Sequence, residues 1–305
     1  HNDPVQPLSR RGALLLVPAG FAALAARSVA ESLLDPVAAA AREAFDSVGG
    51  LARSVVPAPS SRTDTAARRA LSRSVRAAIG GRSDVGVSVL DRRTGAWWHH
   101  HGDVAARSGS VSKVLIVSAA LRKARAAGAT LTARQRDQAR LAITQSDNAS
   151  ADALYAWIGG HSAVRALARD LGLASTAAAK PASHWGLTMT TPNDLVRLME
   201  RLTSGTPATH RADDAAVLDL MARVVDGQRW GVGTVRSASV AVHVKNGWML
   251  VGNPWVINSV GDVRGAGRNY AMALMMSAQP DVDTGITRAS RIGRAVFAAL
   301  EDPLR

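Results

Sequence analysis

Segments with strand periodicity lie near the two ends of this sequence, and helical patterns fill the long stretch between them. Near the amino end, Asp84-Val85-Gly86-Val87-Ser88-Val89-Leu90 places Val at every second position, the period of a half-buried strand. Arg93-Thr94-Gly95 then turns the chain into a second strand over Ala96 to His101. Near the carboxyl end, further strands are predicted over Val240 to Leu250, Trp255 to Val260 and Tyr270 to Ser277. A helix over Thr65 to Ile79 precedes the first strand, and a closing amphipathic helix carries Ile292, Val296 and Leu300 on one face. In the middle, the apolar run Val111 to Ala126 reads as a buried helix that stops at Gly128, and helical stretches occupy most of Leu131 to Val225. The predicted class is α/β (α+β), with terminal strands and helices around a helical middle. At 305 residues and 47% hydrophobic content, the chain can bury a full core as one large domain or two entwined lobes.

Basic residues are written almost entirely as Arg, and lysine is scarce: of 37 Lys and Arg, four are Lys. An arginine stays charged at any pH of interest, whereas burial and neighbouring charge bring a lysine into the range where it exchanges protons. Two of the four stand in short motifs. Lys113 closes Ser110-Val111-Ser112-Lys113, Lys245 opens Lys245-Asn246-Gly247, and Ser146-Asp147-Asn148 lies between them. Each motif alone is a weak signal, readable as a chance match, a turn or a helix cap. Their joint occurrence in this order is a strong one.

The order S-x-x-K, S-D-N, K-x-G resembles that of the penicillin-recognising serine hydrolases, most closely the class A β-lactamases, and the resemblance covers residues 65 to 305. It implies a two-lobed fold: a mainly antiparallel sheet flanked by terminal helices, plus a helical lobe. It also implies catalytic roles for Ser110, Lys113, Ser146 and Lys245. Ser110 is the expected nucleophile at a helix start, three residues from the base Lys113 and on the same side. Ser146 passes a proton to the leaving nitrogen. Lys245 holds Ser146, attracts a substrate carboxylate and, as a cation, lowers the pKa of Lys113. Asn148, Asn246, Gly247 and Trp248 are the expected substrate-binding residues. The backbone N–H groups of Ser110 and Trp248 form the oxyanion hole, and Gly247 allows the strand close to the substrate.

Two departures from the family pattern stand out. Asn246 replaces the usual Thr or Ser hydroxyl, followed by the bulky Trp248. No Asp or Glu occurs between Asp170 and Asp194, where the family places the glutamate that activates water for deacylation. Gly186, in His184-Trp185-Gly186, stands where that acid would fall, and His184 is the available substitute base.

The remaining features narrow the field. His99-His100-His101 does not converge on one ion if all three lie on a strand, because neighbours point to opposite faces, so no metal and no cofactor are expected. Arg264 and Arg268 read as a solvated turn. The net charge of +13 comes without a nucleic-acid motif; it fits loose association with an anionic cell envelope. Zero cysteines exclude disulfides, thiol chemistry and a lipid-modified cysteine within these residues. Residues 1–30 resemble an export signal, with Arg10-Arg11 before the apolar run Gly12 to Ala26 and a cleavage-like Ser28-Val29-Ala30, so a twin-arginine route is one option. Residues 31–64 read as an N-terminal extension and linker, ending in the Pro/Ser-rich Val55 to Thr65. The expected protein is an exported monomeric serine hydrolase that forms an acyl-enzyme with β-lactams or D-alanyl peptides and deacylates poorly. Alternatives are a D,D-carboxypeptidase, transpeptidase or esterase using the same site, and a catalytically silent binding protein.

Overall fold

The computed structural model of the protein describes residues 65–177 and 184–305, so the export-like segment at 1–30 and the linker at 31–64 lie outside the described residues. In chain order the elements are α1 (Ala66–Ile79), β1 (Val85–Asp91), β2 (Ala96–His100), β3 (Ala106–Arg107), α2 (Lys113–Ala126), α3 (Ala133–Thr144), α4 (Asn148–Ile158) and α5 (His161–Asp170). There follow β4 (Met189–Thr190), α6 (Pro192–Ser204), α7 (Arg211–Ala222), β5 (Val240–Leu250), β6 (Trp255–Gly265), β7 (Arg268–Gln279) and α8 (Val282–Ala299). Short 3₁₀ turns at Gly109–Ser112 and Trp185–Leu187 are the connections that matter for the site.

One antiparallel sheet in the order β2-β1-β7-β6-β5 joins the two ends of the chain, with Val89 of β1 opposite Met272 of β7. Side chains alternate across a strand, so β7 serves two cores. Met272, Leu274 and Met276 pack with Leu71 and Val75 of α1 and with Ile292 and Val296 of α8. Ala271, Ala273 and Met275 face the helical lobe, where they join Val260, Leu198 and Met199. At the centre of that lobe α2 is buried all round: Val114, Leu115, Ile116 and Val117 are consecutive and all in the core. Thr65 caps α1 by accepting from the Arg68 N–H, and Gly80 ends it at φ 71°.

The strands β6 and β7 are longer than their apolar runs suggest. The run in β6 is interrupted by Gly261-Asp262, yet both belong in the ladder. A Cβ at Gly261 would sit 2.3 Å from the His243 carbonyl oxygen, and the buried Asp262 is satisfied by Arg92 and by His243 at 3.0 Å. The β6–β7 hairpin closes through Ala266 and Gly267, both at positive φ, the two-residue turn that matches strand twist. Arg268, beside this turn, lies 4.6 Å from the Phe297 ring, and Arg264 stays half exposed. Both sit at the hairpin end, well along the sheet from Lys245, which pairs with Val260. At β2 the expectation needs correcting: the strand ends at His100, and His101 turns to φ 47° and stacks its ring on His100 at 4.1 Å. Strand alternation therefore separates His99 from His100 only. Among the described residues no group of three His, Asp or Glu side chains forms a metal-ligand set.

Candidate active site

The site begins where β3 runs into α2. Gly109, at φ 53°, turns the chain into the 3₁₀ segment, which carries Ser110, and α2 starts at Lys113. Three residues make one turn of such a helix, so Ser110 and Lys113 share a side. Asn258 of β6 holds the incoming strand from behind: its Nδ2 donates to the carbonyls of Arg107 at 2.8 Å and Ser108 at 3.0 Å. Ser110 itself is half-buried.

Lys113 and Lys245 are among the largest fully buried side chains of the protein, and both reach Ser146. Lys113 Nζ donates to the Ser146 carbonyl at 2.6 Å, to Asn148 Oδ1 at 2.8 Å and to Ser146 Oγ at 3.3 Å. Lys245 Nζ donates to Ser146 Oγ at 2.9 Å and to its neighbour's carbonyl, Asn246 O, at 2.8 Å. Ser146 is held in the left-handed region at φ 60°, unusual for a residue with a side chain. Its strain is offset locally: Asp147 caps α4 by accepting from the Ser150 N–H at 2.7 Å, which fixes the turn where the motif sits.

The alternation of β5 divides the third motif. Val240, Val242 and Val244 point into the core shared with α1 and α8, and Asn246 and Trp248 follow the same parity. Lys245 and Gly247 point the other way, towards Ser110 and Ser146. The expected substrate-binding role of the Asn246 side chain is therefore corrected. Asn246 is fully buried and donates Nδ2 to the carbonyls of Gln228 at 2.7 Å and Trp230 at 3.2 Å. The Trp248 ring packs edge-on against Trp230, with centroids 6.2 Å apart. What Trp248 brings to the site is its backbone N, which lies against Gly109. Gly247 also changes meaning. A Cβ there would stand 2.7 Å from Ser108 O and 2.9 Å from the backbone N atoms of Ser110 and Val111. Its bareness lets β5 close on the nucleophile's own backbone.

Burial drives both lysines down. The Lys113 ammonium loses solvation and falls to about 7, partly held up by Asp147 and Asp152. Lys245 is lowered well below the usual lysine range, by burial first and then by repulsion from Lys113. Asp147 and Asp152 favour the charged form of Lys113, and repulsion from Lys113 works against the charged form of Lys245.

The opposite wall is the Trp185–Leu187 turn. The Trp185 ring lies 4.6 Å from Lys113 Nζ, and its Nε1 donates to Asp152 Oδ1 at 2.6 Å. Gly186 faces the nucleophile turn, with Gly109 Cα 4.0 Å from where its Cβ would be. His184 stands half-buried at the entry to this turn, with its carbonyl accepting the Leu187 N–H at 3.0 Å. Asp147, Asp152, Trp185 and Asn258 belong to the site and were not singled out from the sequence. Asp152 had a signal, being four residues after Asn148 on one helical face. Asn258 had none, because its partner segment lies some 150 residues away.

Comparison with known proteins shows the family and the fold. The family model described as "Beta-lactamase enzyme family" matches residues 126–300. A protein named "Putative lipoprotein LppW" from Mycobacterium tuberculosis is 30% identical over 219 residues, covering 69% of this chain and 68% of that protein. Among solved structures, a β-lactamase from Sphaerobacter thermophilus superposes with a TM-score of 0.64 at 21% identity, over 77% of this chain and 99% of that one. A class A β-lactamase from Mycobacterium abscessus gives 0.64 at 22% identity, over 77% and 100%. These structures share the α+β fold with its antiparallel sheet.

Proposed function

We propose that this chain, which belongs to the β-lactamase enzyme family, forms a covalent acyl-enzyme at Ser110 with a β-lactam or a D-alanyl peptide. The observation that carries this reading is the single hydroxyl, Ser146 Oγ, held between two buried lysine amines at 3.3 and 2.9 Å. A buried amine near neutrality accepts a proton that an exposed lysine would not. In the proposed step Ser110 Oγ attacks the substrate carbonyl carbon while its proton passes to neutral Lys113. The carbonyl π pair moves onto oxygen, which the N–H groups of Ser110 and Trp248 stabilise. Collapse breaks the C–N bond, and the leaving nitrogen takes a proton from Ser146 Oγ, which is replenished from the lysine pair. A substrate carboxylate beside Lys245 would raise its pKa and restore it as a cation.

Deacylation is the weak half of the reaction. The Trp185–Leu187 turn brings no carboxylate side chain to the nucleophile, since the sequence holds none between Asp170 and Asp194. The ester at Ser110 is therefore long-lived. Export belongs to the same proposal. It is supported by the apolar run Gly12 to Ala26 behind Arg10-Arg11 and by the lipoprotein name of the mycobacterial relative. Among the described residues no helix is long and apolar enough to cross a membrane.

Labelling with a fluorescent penicillin tests the reaction. The native protein takes the label and Ser110→Ala does not. Absence of any adduct across penicillins and cephalosporins would leave a binding protein of β-lactamase fold. A reporter fused to residues 1 to 40 behind a restored Met tests export, and its retention in the cytoplasm would overturn that part.

A further inference from the structure

The arginines of this protein are not partnered alike. In the helical lobe several meet carboxylates, Arg122 with Asp170 at 2.7 Å, Arg125 with Asp213 at 2.6 Å, Arg140 with Asp137 at 2.6 Å and Arg197 with Asp194 at 3.5 Å, while Arg134, Arg136 and Arg165 are exposed and form no ion pair among the described residues. Around α1 and α8, Arg82, Arg93 and Arg268 also meet carboxylates, those of Asp84, Asp91 and Glu301, but among the described residues Arg73, Arg76, Arg291 and Arg294 of the two helices do not. α1 contains arginines and no acidic residue. Its inner side is Leu71, Val75 and Ile79, so Arg73 and Arg76, three apart, face outward and are exposed. On α8 the inner side is Ala289, Ile292 and Val296, and Arg291 and Arg294 are exposed. α1 and α8 lie side by side, since Arg291 Nε donates to the Ala78 carbonyl at 2.8 Å. Arg294 donates to Thr234 Oγ1 at 3.0 Å. Among the described residues none of these four guanidiniums is within ion-pair distance of a carboxylate. The acid on α8 is Asp283 in its first turn, two turns before Arg291.

We infer that this outer layer of α1 and α8 is a docking surface for an anionic lipid bilayer, with Arg73, Arg76, Arg291 and Arg294 against the headgroups. Clustered cations are attracted to acidic leaflets. A guanidinium with no internal carboxylate offers its whole charge to phosphate. The candidate active site opens on the opposite face of the sheet, so docking by this layer leaves the cleft directed away from the bilayer. The inference is independent of the acyl-enzyme reading.

The test is sedimentation of the full chain with phosphatidylcholine vesicles, with and without phosphatidylglycerol. The expected result is binding that depends on phosphatidylglycerol and weakens with salt. The fourfold variant R73Q/R76Q/R291Q/R294Q loses that increment by on the order of 10²–10³-fold, each cation being worth about fivefold. A helical-lobe variant with the same charge change, R134Q/R136Q/R140Q/R165Q, keeps most of it. The double reversal R73E/R76E, at two exposed positions without packing roles, gives the same direction if the fourfold variant folds poorly by circular dichroism. Equal loss in both fourfold variants would reduce the effect to net charge and overturn the inference. So would binding that ignores phosphatidylglycerol, or binding to duplex DNA without binding to acidic vesicles.

Discussion

The two walls of the cleft are built from different materials. On one side, Lys113, Lys245, Ser146 and Asn148 form a connected hydrogen-bonded set in which both lysines are fully buried. On the other, the Trp185–Leu187 turn presents a ring, a bare glycine and an aliphatic side chain, and the polar tip of Trp185 is spent on Asp152. In the proposed reaction the first wall moves protons to and from Ser110, and the second excludes water and shapes a substrate. The difference separates two half-reactions that one family usually runs on one scaffold. Making the ester needs a base next to the nucleophile, whereas breaking it needs a base next to a water on the opposite wall.

The comparison is most sharply broken at the nucleophile. Ser110→Ala should abolish covalent labelling outright, and any residual adduct would place the chemistry on another residue. Lys113→Ala should slow acylation by about 10²–10⁴-fold, the range of a general base, as followed by stopped-flow or rapid-quench mass measurement. Gly247→Ala should act through geometry. Its Cβ collides with Ser108 O and Ser110 N, so stability should fall by about 1–3 kcal/mol and acylation by about 10²-fold.

The pH profile reads the same wall. Lys113 is lowered to about 7 and must be neutral to accept a proton, so acylation should rise about tenfold per pH unit up to about 7 and level above it. Stability should move in the same sense. Between about 7 and the ordinary lysine value of 10.5, the unfolded chain keeps a proton that the folded site has released. Raising pH through that window therefore favours the fold, by about 1.4 kcal/mol per unit, and lowering it towards 7 removes the gain. Equilibrium denaturation over that range measures the slope. The smallest expected effect is at Asn246. Asn246→Ala strips donors from the Gln228 and Trp230 carbonyls and should cost about 1–3 kcal/mol, yet alter acylation within about threefold. A large acylation defect with unchanged stability would put Asn246 back in the cleft.

How much of this was legible in the sequence follows from range. The strands were readable from alternation, and the buried helix α2 from its unbroken apolar run, because both are local patterns. Lys113, Ser146, Asn148 and Lys245 are joined by hydrogen bonds, and Gly247 lies against the Ser110 backbone. The burial of the Asn246 side chain was a matter of parity. Val240, Val242 and Val244 mark the core face, and counting on by two reaches Asn246 and Trp248, so the signal was present. Treating the third motif as one unit concealed it. The length of β6 was not legible in the same way, since Asp262 is acceptable in a buried strand only with Arg92 and His243 beside it. Nor was the support that Asp147 and Asp152 give to the Lys113 ammonium, which depends on the fold bringing them near it.

The central claim is that this cleft makes an ester it cannot readily break, and the time course of intact mass together with released product tests it most directly. After mixing with a chromogenic cephalosporin, the account predicts a burst of about one product per protein, an adduct at Ser110 that persists, and near-zero turnover afterwards. The missing general base corresponds to about 10²–10⁴-fold in rate. Steady turnover at about 10 s⁻¹ or more, with no adduct accumulating, would contradict it. The variant His184→Ala would then decide whether that imidazole had supplied the base.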